Sequence, residues 1–104
     1  LSGCMLATQK ILSQNNLQVA DVDLFEIHEA FASTMIHCQR ELKIDDAKLN
    51  VNGGCIALGH PMGATGSIMV STLIDELERQ DLSIGIVATS GAVGAGTAIL
   101  IERI

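Results

Sequence analysis

The chain has 104 residues, a formal net charge of −6, 48% hydrophobic residues and 17% charged residues. That composition suits one small packed domain over residues 1–104 rather than a disordered segment. With two Phe and no Tyr or Trp, recognition of single-stranded nucleic acid by base stacking is excluded, and six scattered cations make no phosphate-binding patch. No apolar run approaches the roughly 20 residues that span a bilayer, and no basic and apolar leader opens the chain. A soluble protein of the cytoplasm (or the mitochondrial matrix in a eukaryote) is expected, with no nucleic-acid partner and no membrane span. Cys4, Cys38 and Cys55 form no C-x-x-C pair, so buried thiols in a reducing compartment are expected and no metal site is.

Taken in chain order, Cys4, Ala7, Ile11 and Leu12 recur at helical spacing and predict an amphipathic helix over 2–14. The apolar run Leu24, Phe25, Ile27 predicts a buried strand ending near His28. Phe31, Met35, Cys38 and Leu42 step by four, three and four, which predicts a second helix over about 29–42 with these residues inward. Residues 51–66, VNGGCIALGHPMGATG, are too glycine-rich for a regular helix and too apolar for a solvated linker. They predict a structured loop whose backbone approaches something closely. Thr65 or Ser67 is the expected N-cap of a third helix that buries Met69, Val70, Leu73 and Leu77. The β-branched runs 84–89 and 97–101, joined by SGAVGAG, predict an antiparallel hairpin. The fold class is α/β and layered. Asp45-Asp46 and Asp75, Glu76, Glu78 read as solvated faces, and His37 as a surface residue.

Three motifs bear on chemistry. Gly91, Gly94 and Gly96 reverse the spacing of G-x-G-x-x-G and precede a strand, so no helix dipole awaits a pyrophosphate. His28-Glu29 opens an H-E-x-x-H match that fails at Ala32, which excludes a zincin. His60 lies between Gly59 and Pro61 on a constrained turn just before a helix. Two readings stay open from spacing alone: a loop residue satisfying backbone carbonyls, or an imidazole serving an oxyanion or a proton.

Residues 52–66, Asn52-Gly53-Gly54-Cys55-Ile56-Ala57-Leu58-Gly59-His60-Pro61-Met62-Gly63-Ala64-Thr65-Gly66, resemble the thiolase pattern N-x-G-G-x-x-A-x-G-H-P-x-G-x-[ST]-G. Upstream, His28-Glu29-Ala30-Phe31 resembles the family's H-E-A-F segment, in the form of the degradative, trifunctional-enzyme type. Downstream, Ser90 to Gly96 resembles its C-terminal C-x-[GA]-G-G-x-G segment. The likeness covers nearly the whole chain in order. It implies the C-terminal thiolase half-fold without its first strand, and acyl transfer on coenzyme A thioesters. Acyl-CoA and CoA are then substrates, with no bound cofactor.

By the resemblance, the residue matching His60 lowers the pKa of a nucleophilic cysteine and helps form an oxyanion hole. His28 helps hold a water or a thioester oxygen. Ser90 stands where the family has an acid/base cysteine, and the Ala92 N–H contributes to the second oxyanion hole. Asn52, Gly53, Gly54, Gly59 and Pro61 belong to the substrate-binding loop. The nucleophile itself belongs to the family's N-terminal half, which is an expected partner; a homo-oligomer is also expected, and this part alone should be inactive.

Two departures from the pattern matter. A serine hydroxyl ionises far above a thiol's value of about 8.5, so Ser90 is a poor base. It is either a substitution made to trap a complex or natural divergence, and Val93 in place of the family's glycine doublet favours divergence. An alternative function follows: a catalytically impaired thiolase-like subunit that binds or scaffolds. A third reading is a different thioester reaction in which Ser90 only donates a hydrogen bond. Cys4 and Cys38 are expected as core thiols, and Cys55 occupies a position that is small in the family.

Overall fold

The computed structural model describes residues 2–104. Helix α1 (Gly3–Gln14) is followed by strand β1 (Leu24–Ile27), helix α2 (Ala32–Leu42), a one-turn helix α3 (Cys55–Leu58), helix α4 (Thr65–Arg79) and strands β2 (Ile84–Ser90) and β3 (Gly96–Glu102). The sheet order is β1-β2-β3. β1 runs parallel to β2 with Phe25 opposite Ile86, and β2 pairs antiparallel with β3 from Ile84↔Glu102 to Ser90↔Gly96. The predicted hairpin is therefore present.

Side chains alternate across a strand, so the sheet serves two cores. Phe25, Ile27, Ile86 and Ala88 face α1 and α2, where they pack with Cys4, Leu12, Val22, Cys38 and Leu42. Leu24 and Val87 face α4 and pack with Met69, Leu73 and Leu77. The result is three layers: two helices, a sheet and one helix. A Cβ on Gly3 or Gly96 would overlap the other segment's backbone, so the start of α1 lies directly on the start of β3. Among the described residues, no helix is long and apolar enough to cross a membrane.

Several expectations are corrected. α2 begins at Ala32, not 29, because the sheet ladder continues past β1: the His28 N–H donates to the Ala88 carbonyl at 2.9 Å, and the backbone is still extended at Phe31. Phe31 is consequently 61% exposed rather than inward. The N-cap of α4 is Ala64, since Thr65 already has helical backbone angles and spends its hydroxyl elsewhere. The glycine-rich segment contains helix after all, the single turn α3 and a 3-10 turn at Met62–Ala64. Of the acidic residues on α4, Glu76 is buried, with Arg79 donating from Nε at 2.7 Å.

Candidate active site

The C-terminal ends of β1 and β2 lie side by side, and His28 and Ser90 stand at those ends. The glycine-rich loop brings His60 over them. His28, His60, Met62, Gly63, Thr65, Gly66, Thr89 and Ser90 line an open cleft of about 340 Å³. The His28 and His60 ring centroids are 4.6 Å apart, with the planes tilted by 43°.

The two rings differ in how they are held. His28 is only 7% exposed, and both of its ring nitrogens are buried without a hydrogen-bond partner among the described residues. Burial first, and the neighbouring His60 second, push its pKa below the usual 6.5. At neutral pH its ring is uncharged, with one N–H to donate and one lone pair to accept. His60 is exposed, but its Nδ1 lies 2.7 Å from the Thr65 hydroxyl. That bond ties the loop to the first residue of α4 and leaves Nε2 for other chemistry.

The loop is anchored from below by two residues that sequence reasoning missed. The Asn50 amide accepts from the Ile27 N–H at 2.8 Å and donates to the Ile27 carbonyl at 2.9 Å, copying a strand partner at the edge of β1. Its amide also donates to Glu29 Oε2 at 3.2 Å, while Glu29 Oε1 accepts from the Ile56 N–H at 3.1 Å. A carboxylate facing a loop's free N–H groups makes a charge-assisted clamp. The signal was Glu29 itself, a carboxylate beside His28; nothing in the spacing pointed to Asn50.

Ser90 is half-buried, and its Oγ accepts from the Cys4 N–H at 2.9 Å. Cys4 is the second residue of α1, so Ser90 satisfies an otherwise free donor of that helix from 86 positions away. The arrangement aims the positive end of a helix dipole at the Ser90 oxygen. The hydroxyl proton remains able to donate. Cys4 and Cys38 are both in the core, as expected. Hydrogen bonding from Cys38 is the largest influence holding the Cys4 thiol low, with Ser90 adding to it.

Not every expected residue reaches the cleft. Ala92 lies two residues beyond Ser90, as the first residue of the 3-10 turn Ala92–Gly94, outside the cleft lining. Asn52, Gly53, Gly54, Gly59 and Pro61 shape the loop rather than line the cleft. Gly59 has a φ of 100°, a conformation that side chains resist, and it turns the chain from α3 into His60. Cys55 is half-buried, with its Sγ 4.0 Å from His60 Nδ1.

The cleft thus assembles two imidazoles and a hydroxyl at strand ends, under a loop clamped by a carboxylate. Comparison with known proteins agrees with the motifs around it. The family described as "Thiolase, C-terminal domain" matches residues 1–103. A 3-ketoacyl-CoA thiolase of Colwellia psychrerythraea is 44% identical over 98% of this chain and 27% of its own length. An acetyl-CoA acetyltransferase of Synechocystis sp. is 46% identical over 94% of this chain and 25% of its own length. A peroxisomal 3-ketoacyl-CoA thiolase 1 of Arabidopsis thaliana is 45% identical over 97% of this chain and 23% of its own length. The chain spans about a quarter of such relatives, and over that span it belongs to the thiolase C-terminal domain family.

Proposed function

We propose that this chain supplies the histidine and hydroxyl side of a thiolase acyltransferase site, acting on 3-ketoacyl-CoA and CoA. The acyl-accepting cysteine comes from a thiolase N-terminal half, which seats over the cleft and over the exposed Ile56, Leu58 and Met62 around it. The observation that carries the reading is His28: a neutral, buried imidazole with both nitrogens free beside a second imidazole. Such a group has desolvated donor capacity ready for a charge that develops during reaction.

In thiolysis, the cysteine thiolate adds to the 3-keto carbon and the carbon–carbon bond to the α-carbon breaks. The departing fragment is an acetyl-CoA enolate, which takes a proton at carbon. CoA thiol then attacks the acyl-cysteine thioester. His60 stabilises the cysteine thiolate and the first oxyanion, with Thr65 fixing its ring. His28 serves the thioester oxygen of the enolate, directly or through a water. Ser90 occupies the acid position, where it donates more readily than it accepts a proton, and the Ala92 N–H completes the second oxyanion hole. Asn52, Gly53, Gly54, Gly59 and Pro61 hold the loop that meets the substrate. No step is assigned to Cys55. The reaction belongs to fatty-acid breakdown in the cytoplasm or mitochondrial matrix, in a homo-oligomer.

The test is thiolysis of a 3-ketoacyl-CoA by the complete polypeptide encoded by the reading frame through Leu1. His60→Ala and His28→Ala should each lower kcat by about 10²–10³, the usual cost of one oxyanion donor. Unchanged rates in both would overturn the assignment. A second reading, a binding or scaffolding subunit, rests on Ser90 at the acid/base position. Ser90→Cys separates the two: a large rise in rate means a disabled acid, and a rate that stays near zero means a scaffold.

A further inference from the structure

His28, Cys55 and His60 come from three segments, the end of β1, helix α3 and the loop before α4. Yet one donor atom of each lies within 4.8 Å of the other two. Two nitrogens and one sulfur are the donor set that borderline-soft divalent cations select. His28 adds a second and independent sign, since its two nitrogens are buried with no hydrogen-bond partner among the described residues. A buried imidazole normally has one.

We propose that these three side chains form a zinc-type cation site that switches the acyl-transfer cleft off. The inference rests on the functional reading for its consequence, though not for the site itself. Zinc takes nitrogen at about 2.0–2.1 Å and sulfur at about 2.3 Å, so tetrahedral ligands sit about 3.4–3.6 Å apart. Cys55 Sγ and His60 Nδ1 are at 4.0 Å and must close by about half an ångström. Both can move toward the buried His28: Cys55 is on a single helical turn, and His60 is on an exposed loop. On binding, Cys55 releases its thiol proton to solvent, and each imidazole donates a nitrogen lone pair. If His60 binds through Nδ1, its bond to Thr65 is exchanged for the metal bond. Three protein ligands leave a fourth position open to water or a substrate thiol. With both imidazoles coordinated, the lone pair that each gives to the cation is no longer available for proton transfer, and the rings are fixed on the metal instead of being aimed at the substrate.

The absence of a C-x-x-C pair does not bear on a site assembled this way. Cys4 and Cys38 are fully buried and take no part.

The first measurement is a cobalt(II) titration of the 104-residue chain, followed by zinc competition. One cobalt per chain is expected, with a cysteinate-to-cobalt charge-transfer band and tetrahedral d–d absorption. Cys55→Ala should abolish the band, and His60→Ala should weaken binding at least about tenfold. Cys55→Ser, which keeps the side-chain size, should also lose the band. Absence of the band in the parent chain, or its survival in Cys55→Ala, overturns the site. In the complete enzyme, zinc should inhibit thiolysis reversibly, and Cys55→Ala should remain active while losing that sensitivity. Equal inhibition of Cys55→Ala would overturn the switch. A complete enzyme without thiolysis would overturn the functional reading alone, because the cobalt spectrum decides the site independently.

Discussion

His28 and His60 approach to 4.6 Å from two very different kinds of backbone. His28 ends a strand locked into the sheet, with its N–H on the Ala88 carbonyl, and is buried by the layers around it. His60 rides a glycine-rich loop that touches the frame through a few polar bonds. The frame sets position by packing many side chains, so it is stiff and costly to alter. The loop sets position by a carboxylate, an amide and a hydroxyl, so single changes can release it while the frame stands. A cleft built from one partner of each kind is rigid at its floor and adjustable at its roof.

The frame is broken most severely at its tightest backbone contact. Gly96→Ala would drive a methyl into the Gly3 carbonyl, and nothing flexible can yield there. The start of α1 must then lift from β3, taking the Cys4 N–H from Ser90. A loss of about 3–5 kcal/mol in denaturant unfolding is expected, the range of severe backbone and packing clashes. A variant as stable as the parent would mean that the two segments are not in contact.

The loop is released by a smaller change. Glu29→Ala removes the acceptor of the Ile56 N–H and a partner of Asn50. Hydrogen exchange over residues 52–60 should accelerate by about 10- to 100-fold, matching about 1–3 kcal/mol for the lost charged bonds. The amides of β1 and β2 should keep their rates. Uniform acceleration across the chain would show that loop and frame open together and erase the distinction between them.

The same contrast explains what could be read beforehand. α1 and α4 announce themselves through helical periodicity, and β1, β2 and β3 through apolar or β-branched runs, because each packs against another layer. Residues 29–31 mislead, because their conformation is set by a long-range bond from His28 to Ala88 and by Glu29 reaching across to the loop. Phe31 fits the helical step and is nonetheless exposed. The proximity of Cys55 to His28 and His60 has no sequence signature either, since it depends on α3 forming inside a segment whose glycines argue against helix. The residues of the cleft came from motif resemblance; their burial, pairing and clamp came from geometry.

A third test compares the faces of β1. Phe25 and Ile27 enter an apolar core, whereas Glu26 enters the α4 side, where burial first and the charges of Glu29 and Glu76 second raise its pKa from 4.5 to about 7. Between these values the folded chain keeps a proton that the unfolded chain has lost. Stability therefore falls as pH rises from about 4.5 to 7 and levels off above. His28 acts in the opposite sense: its lowered pKa means that stability falls as pH drops below the unfolded value near 6.5. Glu26→Gln should remove the first slope and stabilise the chain at pH 8 by on the order of 1–3 kcal/mol. An unchanged difference between pH 6 and pH 8 would mean that Glu26 ionises freely.

The smallest effect lies at Val93, in the turn after β2. Val93 and Gly94 both have positive φ, 59° and 78°. That pair of angles gives a physical reason for a glycine doublet in this turn, and valine fills one of the two positions. The Val93 side chain is fully exposed, so no packing offsets its strained backbone. A left-handed residue of this kind costs about 1–2 kcal/mol, and glycine gives back about 0.5–1 kcal/mol through the freedom of the unfolded chain. Val93→Gly should therefore stabilise the chain by about 0.5–1 kcal/mol. The gain belongs to the turn alone, so exchange over residues 52–60 should not change. A loss of stability would mean that the valine stiffens a turn that glycine lets go, and that the rigidity of the frame extends past Ser90 through this side chain.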